Sequence, residues 1–259
     1  MPGFESLSPA LLLWVVAVIA LAGLIHGALG LGFPIVATPL IALVADMRTA
    51  IILILLPCMA AVIASIVKGQ GLREVLAKFW PMPIYMLVGA SIGTHLFIAY
   101  PEAPFPLLLA LLVIVYLNLD RLGKTNWPVI RRHRRLSGAV FGVLAGTFEG
   151  STNAAAPPLV IYFLALALPP SAMVQALNIC FITGKTTQFA TMATAGGVAV
   201  TQWISTLPLA AVAACMVVVG IGIRSRVDAM TYRGWLKKAL FVIALLLLLQ
   251  YAYMAWLKP

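Results

Sequence analysis

The amino-acid sequence predicts an all-α polytopic membrane protein. It reads as an inverted repeat of two five-segment halves, each opening with a broken helix pair. Three observations carry this reading. The 259 residues are 63% hydrophobic and only 9% charged, with a mean hydropathy of +1.07. A soluble domain has no use for that much apolar surface, and several runs approach the roughly 20 residues that cross a bilayer. Fourteen of the seventeen Lys and Arg fall in three short stretches, 68–78, 120–135 and 224–238. Finally, two apolar runs are too short to span, and each follows a glycine-rich or polar interruption.

Ten apolar segments follow one another: 7–26, 33–44, 50–67, 80–100, 105–119, 137–148, 157–168, 172–193, 203–223 and 239–257. The first carries no Lys or Arg before it, and Glu5 is its one nearby charge. It therefore lacks the basic start of a signal peptide and reads as a retained helix. The next, 33–44, spans about 18 Å at 1.5 Å per residue, short of a hydrocarbon core of roughly 30 Å. Segment 50–67 has no charge, and Pro57 within it predicts a kink. Trp80 and Tyr100 sit at the two ends of the fourth segment, as an aromatic belt requires. The second half repeats the order. Segment 137–148 runs into Glu149–Asn153, then comes another short run, 157–168, with Pro157 suited to a first helical turn.

The net charge of +10 would hint at nucleic acid in a soluble protein. Confined to three loops, it reads instead as topology, and the expected partner is a lipid bilayer with no nucleic acid. Excess Lys and Arg mark cytoplasmic loops. Two segments separate the first two basic loops and four separate the last two, so all three can lie inside. Both termini are then extracytoplasmic. The first repeat is 1–119, a basic cytoplasmic linker is 120–136, and the second repeat is 137–259. The halves start on opposite sides of the membrane, an inverted repeat of the kind secondary transporters use. An offset of 119 aligns Gly27 with Gly146, Pro39 with Pro158, Leu40 with Leu159 and Ile41 with Val160.

Lys185 is the most informative single residue. It lies at the middle of segment 172–193, where an ammonium is costly unless it is paired or lines a polar cavity. Gln175 and Asn178 share its helix face, and Gln188 lies about 60° further round. The two short helices should begin near the middle of the membrane and offer free N–H groups and positive dipole ends. Irregular backbone at that depth must be buried in protein or line a cavity. Opposed helix N-termini with a lysine describe an anion site. The expected substrate-binding set is Lys185, Gly32, Phe33, Pro34, Ser151, Thr152, Asn153, Asn178, Gln175 and Gln188. Glu149 and His26 are candidates for carrying a proton, and Glu149 is also a candidate partner for Lys185. The glycines have a plainer use in close helix packing. Cys58, Cys180 and Cys215 lie in apolar runs without metal-binding spacing and read as buried small residues. No HExxH, GxSxG or paired aspartates occur, so neither an enzyme, a metal nor a cofactor is predicted.

The stretch GALGLGFPIVATPLIAL (27–43) and its degenerate second copy GTFEGSTNAAAPPLVIYFLAL (146–166) resemble the TauE/SafE family of sulfite exporters. The likeness extends over nearly the whole chain, including the basic central loop and the helix ALNICFITGKTTQFAT (176–191). It implies outward transport of a small anion, such as sulfite, sulfoacetate or a related sulfonate, across a bacterial inner membrane. A proton-coupled uptake of a sulfonate or carboxylate is the nearest alternative. A membrane assembly protein without transport is a more distant one. Glu149, Ser151, Thr152 and Asn153 stand where the family repeat has small residues, which implies a substrate headgroup that accepts hydrogen bonds.

Overall fold

The computed structural model describes residues 8–118 and 127–223, together with 238, 241–242, 244–249 and 252. The linker residues Arg121 and Lys124, most of the basic stretch 224–238 and most of segment 239–257 lie outside the described residues. Those described form helices and no strand. Four helical stretches are long and apolar enough to cross a membrane: Pro9–Leu29, Met47–Lys68, Pro81–Ala99 and Val200–Ile223. The protein is an all-α, multi-pass membrane protein.

Helix α1 (Pro9–Leu29) starts at Ser8, whose hydroxyl accepts the Leu11 N–H at 3.2 Å, a standard N-cap bond. It ends at Gly30, which adopts the left-handed conformation at φ 80° and donates its N–H to the His26 carbonyl. Gly32 is also left-handed, at φ 113°. Two such residues around Leu31 reverse the chain, and only glycine adopts this backbone without strain. Then α2 (Phe33–Ala42) runs for ten residues, about 15 Å. Next come α3 (Met47–Lys68), capped by Asp46 through Thr49 N–H at 2.9 Å, then α4 (Leu72–Phe79), α5 (Pro81–Ala99) and α6 (Phe105–Leu117).

After the central stretch come a short α7 (Pro128–Arg132) and α8 (Arg134–Thr152). Asn153 ends α8 in the left-handed region, at φ 60°. Asn is the residue besides glycine that tolerates this backbone best. Then α9 (Ala156–Ala165) again runs for ten residues. Helix α10 (Pro170–Thr194), α11 (Val200–Ser205) and α12 (Leu207–Ile223) follow, and the residues described beyond them are helical too. At the far end of α10, Arg48 donates to the Gly196 carbonyl and ties the α10–α11 turn to the start of α3.

Both short apolar helices are present as the sequence predicts, but three details differ. Glu149, Gly150, Ser151 and Thr152 are helical, so the second break is 153–155 and not 149–153. The reason is local. Ser151 and Thr152 hydroxyls donate to the Thr147 and Phe148 carbonyls at 2.8 and 2.9 Å, which lets polar residues continue a helix. The two breaks also match each other at a different offset from the 119 read in the sequence. Gly30 and Asn153 both end their helices left-handed, and Phe33 and Ala156 both start ten-residue helices. That is an offset of 123, which pairs His26 with Glu149 and Gly27 with Gly150. Lastly, the loop predicted at 68–78 contains the amphipathic α4, with Val75 and Phe79 buried and Arg73 and Lys78 exposed.

Packing is closest in two helix pairs, α5 with α8 and α1 with α12. In each, glycines let backbones touch. A Cβ at Gly93 would collide with the Thr147 carbonyl oxygen, and one at Gly27 with that of Val217. The packing role expected of the glycines thus holds for Gly27, while Gly30 and Gly32 are needed for backbone conformation. Cys58 and Cys180 are buried, whereas Cys215 is exposed on the outer face of α12, contrary to the expectation for all three.

Candidate functional site

Helix α10 passes both breaks, and its polar stripe meets each in turn. Lys185 is fully buried. Its ammonium donates to Asn153 Oδ1 at 2.5 Å and to Gln188 Oε1 at 2.9 Å, and pairs with Glu149 Oε1 at 2.9 Å. Two of the three N–H donors of the ammonium are thus hydrogen-bonded, while Glu149 Oε1 is held by charge and completes no hydrogen bond. Glu149 is fully buried as well. Its second oxygen accepts the Ala155 N–H at 3.3 Å, at the start of α9. The carboxylate therefore sits between a lysine and the positive end of a helix, the environment that binds anions.

Gln188 completes the cluster. Its amide donates to the Glu149 and Gly150 carbonyls, at 3.2 and 3.1 Å, and to Asn153 Oδ1 at 3.1 Å. Both carbonyls lie in the last turn of α8, where helix carbonyls draw on partners from outside; that of Glu149 also accepts the Asn153 N–H, at 3.1 Å. Asn153 also donates to Thr38 Oγ1 on α2, at 3.3 Å. The sequence pattern does not single out Thr38. Its signal is a lone hydroxyl inside the apolar run FPIVATPLIA.

The first break is built differently. Asn178 donates to the Gly30 carbonyl at 3.3 Å and to Ser65 Oγ at 3.2 Å. His26 is fully buried and lies against the Asn178 side chain. Neither of its ring nitrogens completes a well-formed hydrogen bond, and Asn178 Oδ1 is likewise unsatisfied. This group contains no Lys, Arg, Asp or Glu. Gln175 is farther still. It donates to the Ile66 carbonyl at 3.3 Å, at the end of α3, and packs on Gly69.

The predicted set therefore divides. Lys185, Glu149, Asn153 and Gln188 are brought together. Asn178 and His26 form a second, uncharged group with Ser65, seven residues or about 10 Å along α10 from Lys185. Ser151 and Thr152 are buried but spend their hydroxyl protons within α8. Gly32, Phe33 and Pro34 form the start of α2, and Phe33 and Pro34 are buried. Asn153, just before α9, bonds to Thr38 in the second turn of α2 and makes no hydrogen bond to Gly32 at its start. Donors at α9 are also fewer than expected. Pro157 and Pro158 have no N–H, leaving Ala155 and Ala156. Among the described residues no group of three His, Cys, Asp or Glu side chains could hold a metal ion.

The family model described as "Sulfite exporter TauE/SafE" matches residues 15–251. No curated protein and no solved structure gives a match. With all but the two ends of the chain covered, the protein belongs to the TauE/SafE family of membrane anion transporters.

Proposed function

We propose that this TauE/SafE member is a secondary transporter that carries a small sulfur-containing anion, such as sulfite, sulfoacetate or a related sulfonate, outward across a bacterial inner membrane. One observation supports this above the rest. A carboxylate of the protein itself, Glu149, lies between the Lys185 ammonium and the first N–H of a half-helix. That is where an anionic oxygen group is best stabilised, and Glu149 stands there as an internal substitute in the closed state. An arriving anion takes over Lys185 and the Ala155 N–H, and Glu149 moves away or accepts a proton. Asn153 and Gln188 then turn their amide protons to the substrate oxygens. Exit of an anion from a cell with a negative interior is downhill by about 2.3 kcal/mol per charge per 100 mV, so export needs no coupling ion.

The inverted repeat supplies the alternating access. Each half's opening helix packs on the other half's fourth segment, α1 on α12 and α8 on α5. A two-fold axis in the membrane plane would require this reciprocity. In this reading the three basic stretches are cytoplasmic and both termini extracytoplasmic. A cysteine at position 127, in a cysteine-free background, should resist an impermeant maleimide applied to intact cells. Labelling from outside would reverse the topology.

Proton-coupled uptake has an observation of its own. His26 and Glu149 hold the same register before their breaks, and both are buried titratable groups. Counterflow in proteoliposomes decides between these readings. Sulfite or sulfoacetate inside should drive exchange of the labelled anion without a pH gradient, and acetate and taurine should be poorer. Exchange that appears only with an imposed pH gradient would favour proton coupling. No exchange with any of the four would sink the transport assignment.

A further inference from the structure

A second cationic feature lies apart from Lys185. Where α4 meets α5 and α7 meets α8, a pocket of about 240 Å³ is lined by Lys78, Arg134 and Arg135, with Tyr85, Tyr162 and Trp80 among its walls. Among the described residues, no acidic side chain lines it. Phe79 is its buried floor, with the Arg134 guanidinium 4.7 Å and the Lys78 ammonium 5.8 Å from the ring centre. Arg134 is held by its own bond to the Lys78 carbonyl, at 3.2 Å, and by Tyr162, whose hydroxyl donates to the Arg134 carbonyl at 3.1 Å. Gly138 keeps the wall open, since a Cβ there would lie 2.9 Å from the Tyr162 hydroxyl.

The pocket also has an apolar approach. Trp80, Ile84 and Leu87 form an exposed stripe on α5, and Leu136, Val140 and Leu144 form one on α8. Their spacing of three or four residues puts each set on one helix face. Trp80 and Leu136, at 63% and 67% exposure, are the residues of each stripe nearest the cations. In a membrane helix such faces meet acyl chains, and basic pockets between helices at the interface take acidic headgroups. A free anion would need the cations alone. The continuity of cations with two apolar stripes matches a ligand that has both a phosphate and a tail.

We propose that this pocket is a binding site for an anionic phospholipid, its phosphate held by Lys78, Arg134 and Arg135 and an acyl chain lying along the α5 and α8 stripes. This site is independent of the transport reading.

Native mass spectrometry of the purified full-length protein tests it, with phosphatidylglycerol and phosphatidylcholine offered in equal amounts. The comparison variant is Lys78→Gln with Arg135→Gln, both at exposed side chains. The wild type should carry a phosphatidylglycerol adduct, and the variant should lose it by roughly thirtyfold at an unchanged melting temperature. Should the double variant fail to fold, Arg135→Gln alone serves, with a smaller loss in the same direction. An adduct of equal strength in the variant, or equal uptake of phosphatidylcholine by the wild type, would overturn the proposal. So would stabilisation by inorganic phosphate that matches that by phosphatidylglycerol, since the site would then belong to a free anion.

Discussion

The two breaks share a backbone plan and differ in charge. Each ends a long helix in a left-handed residue, Gly30 or Asn153, and each starts a ten-residue helix. Four residues before the left-handed position stands His26 in one and Glu149 in the other, and both are fully buried. At the second break Lys185 pairs with the acid, Asn153 accepts from Lys185 and Gln188, and Gln188 donates to the Glu149 and Gly150 carbonyls at the end of α8. At the first, a neutral Asn178 bridges Gly30 and Ser65, and His26 is left without a completed bond. A half-helix thus provides the geometry of an ion site, while the neighbouring helix decides whether charge is held there. Both breaks are served by α10, yet Asn178 faces one and Lys185 the other.

The largest expected effect comes from breaking the ion pair. Lys185→Met leaves Glu149 buried without its counter-charge and should cost about 3–5 kcal/mol, read as a drop in melting temperature in detergent. Glu149→Gln should cost a comparable amount, with a difference that sharpens the contrast between the breaks. It frees the Lys185 ammonium, so saturating sulfite should raise the melting temperature of this variant more than that of the wild type. An equal or smaller rise would mean that Glu149 does not stand in for the anion.

Smaller effects follow at the left-handed residues. Asn153→Gly keeps the backbone and removes the acceptor for Lys185 and Gln188, a loss of about 1.5–3 kcal/mol for a bond to a charged group. Gly30→Ala meets the opposite problem. It removes no bond, but it strains the backbone by about 1–2 kcal/mol, with Val174 methyls 2.6 and 2.7 Å from the new Cβ. Sulfite titration of the two folded variants should separate them, since Asn153→Gly loses anion binding and Gly30→Ala keeps it. The smallest effect is at His26. His26→Leu removes an imidazole that completes no well-formed bond and leaves Asn178 as it is, so the loss should stay within about 1 kcal/mol. Loss of sulfite binding on this change would move the site to the first break.

Much of this arrangement is legible in the amino-acid sequence. The short runs after Gly32 and before Pro169 identify the half-helices by length alone. Lys185 stands out because an ammonium is expensive in hydrocarbon, and Glu149 is the acid nearest it in depth. Local satisfaction of polar groups is what the sequence conceals. Residues 149–152 read as a break because four polar or glycine residues in a row discourage helix. Ser151 and Thr152 bond back to their own helix, and Lys185 neutralises Glu149, so the helix continues to Asn153. The 119 offset follows from matching Pro39 to Pro158, whereas backbone conformation matches Gly30 to Asn153. Helix α4 is hidden because three charges in eight residues resemble a loop, and only the structure turns Val75 and Phe79 inward. The polar stripe of α10 reads as one wall of one site. Its length of about 20 Å from Gln175 to Gln188 instead spreads it over the end of α3 and both breaks.

In the transport cycle proposed for this protein, Lys185 holds the substrate and Glu149 keeps its place. A double-mutant cycle of Lys185→Met and Glu149→Gln, with melting temperature and sulfite binding measured on the same preparations, puts both roles at risk together. Each single change should destabilise. The double change should restore the melting temperature to near the wild-type value, and the restored protein should bind no sulfite. A stable double variant, or a stable Lys185→Met protein, that binds and transports sulfite as the wild type does would contradict both roles.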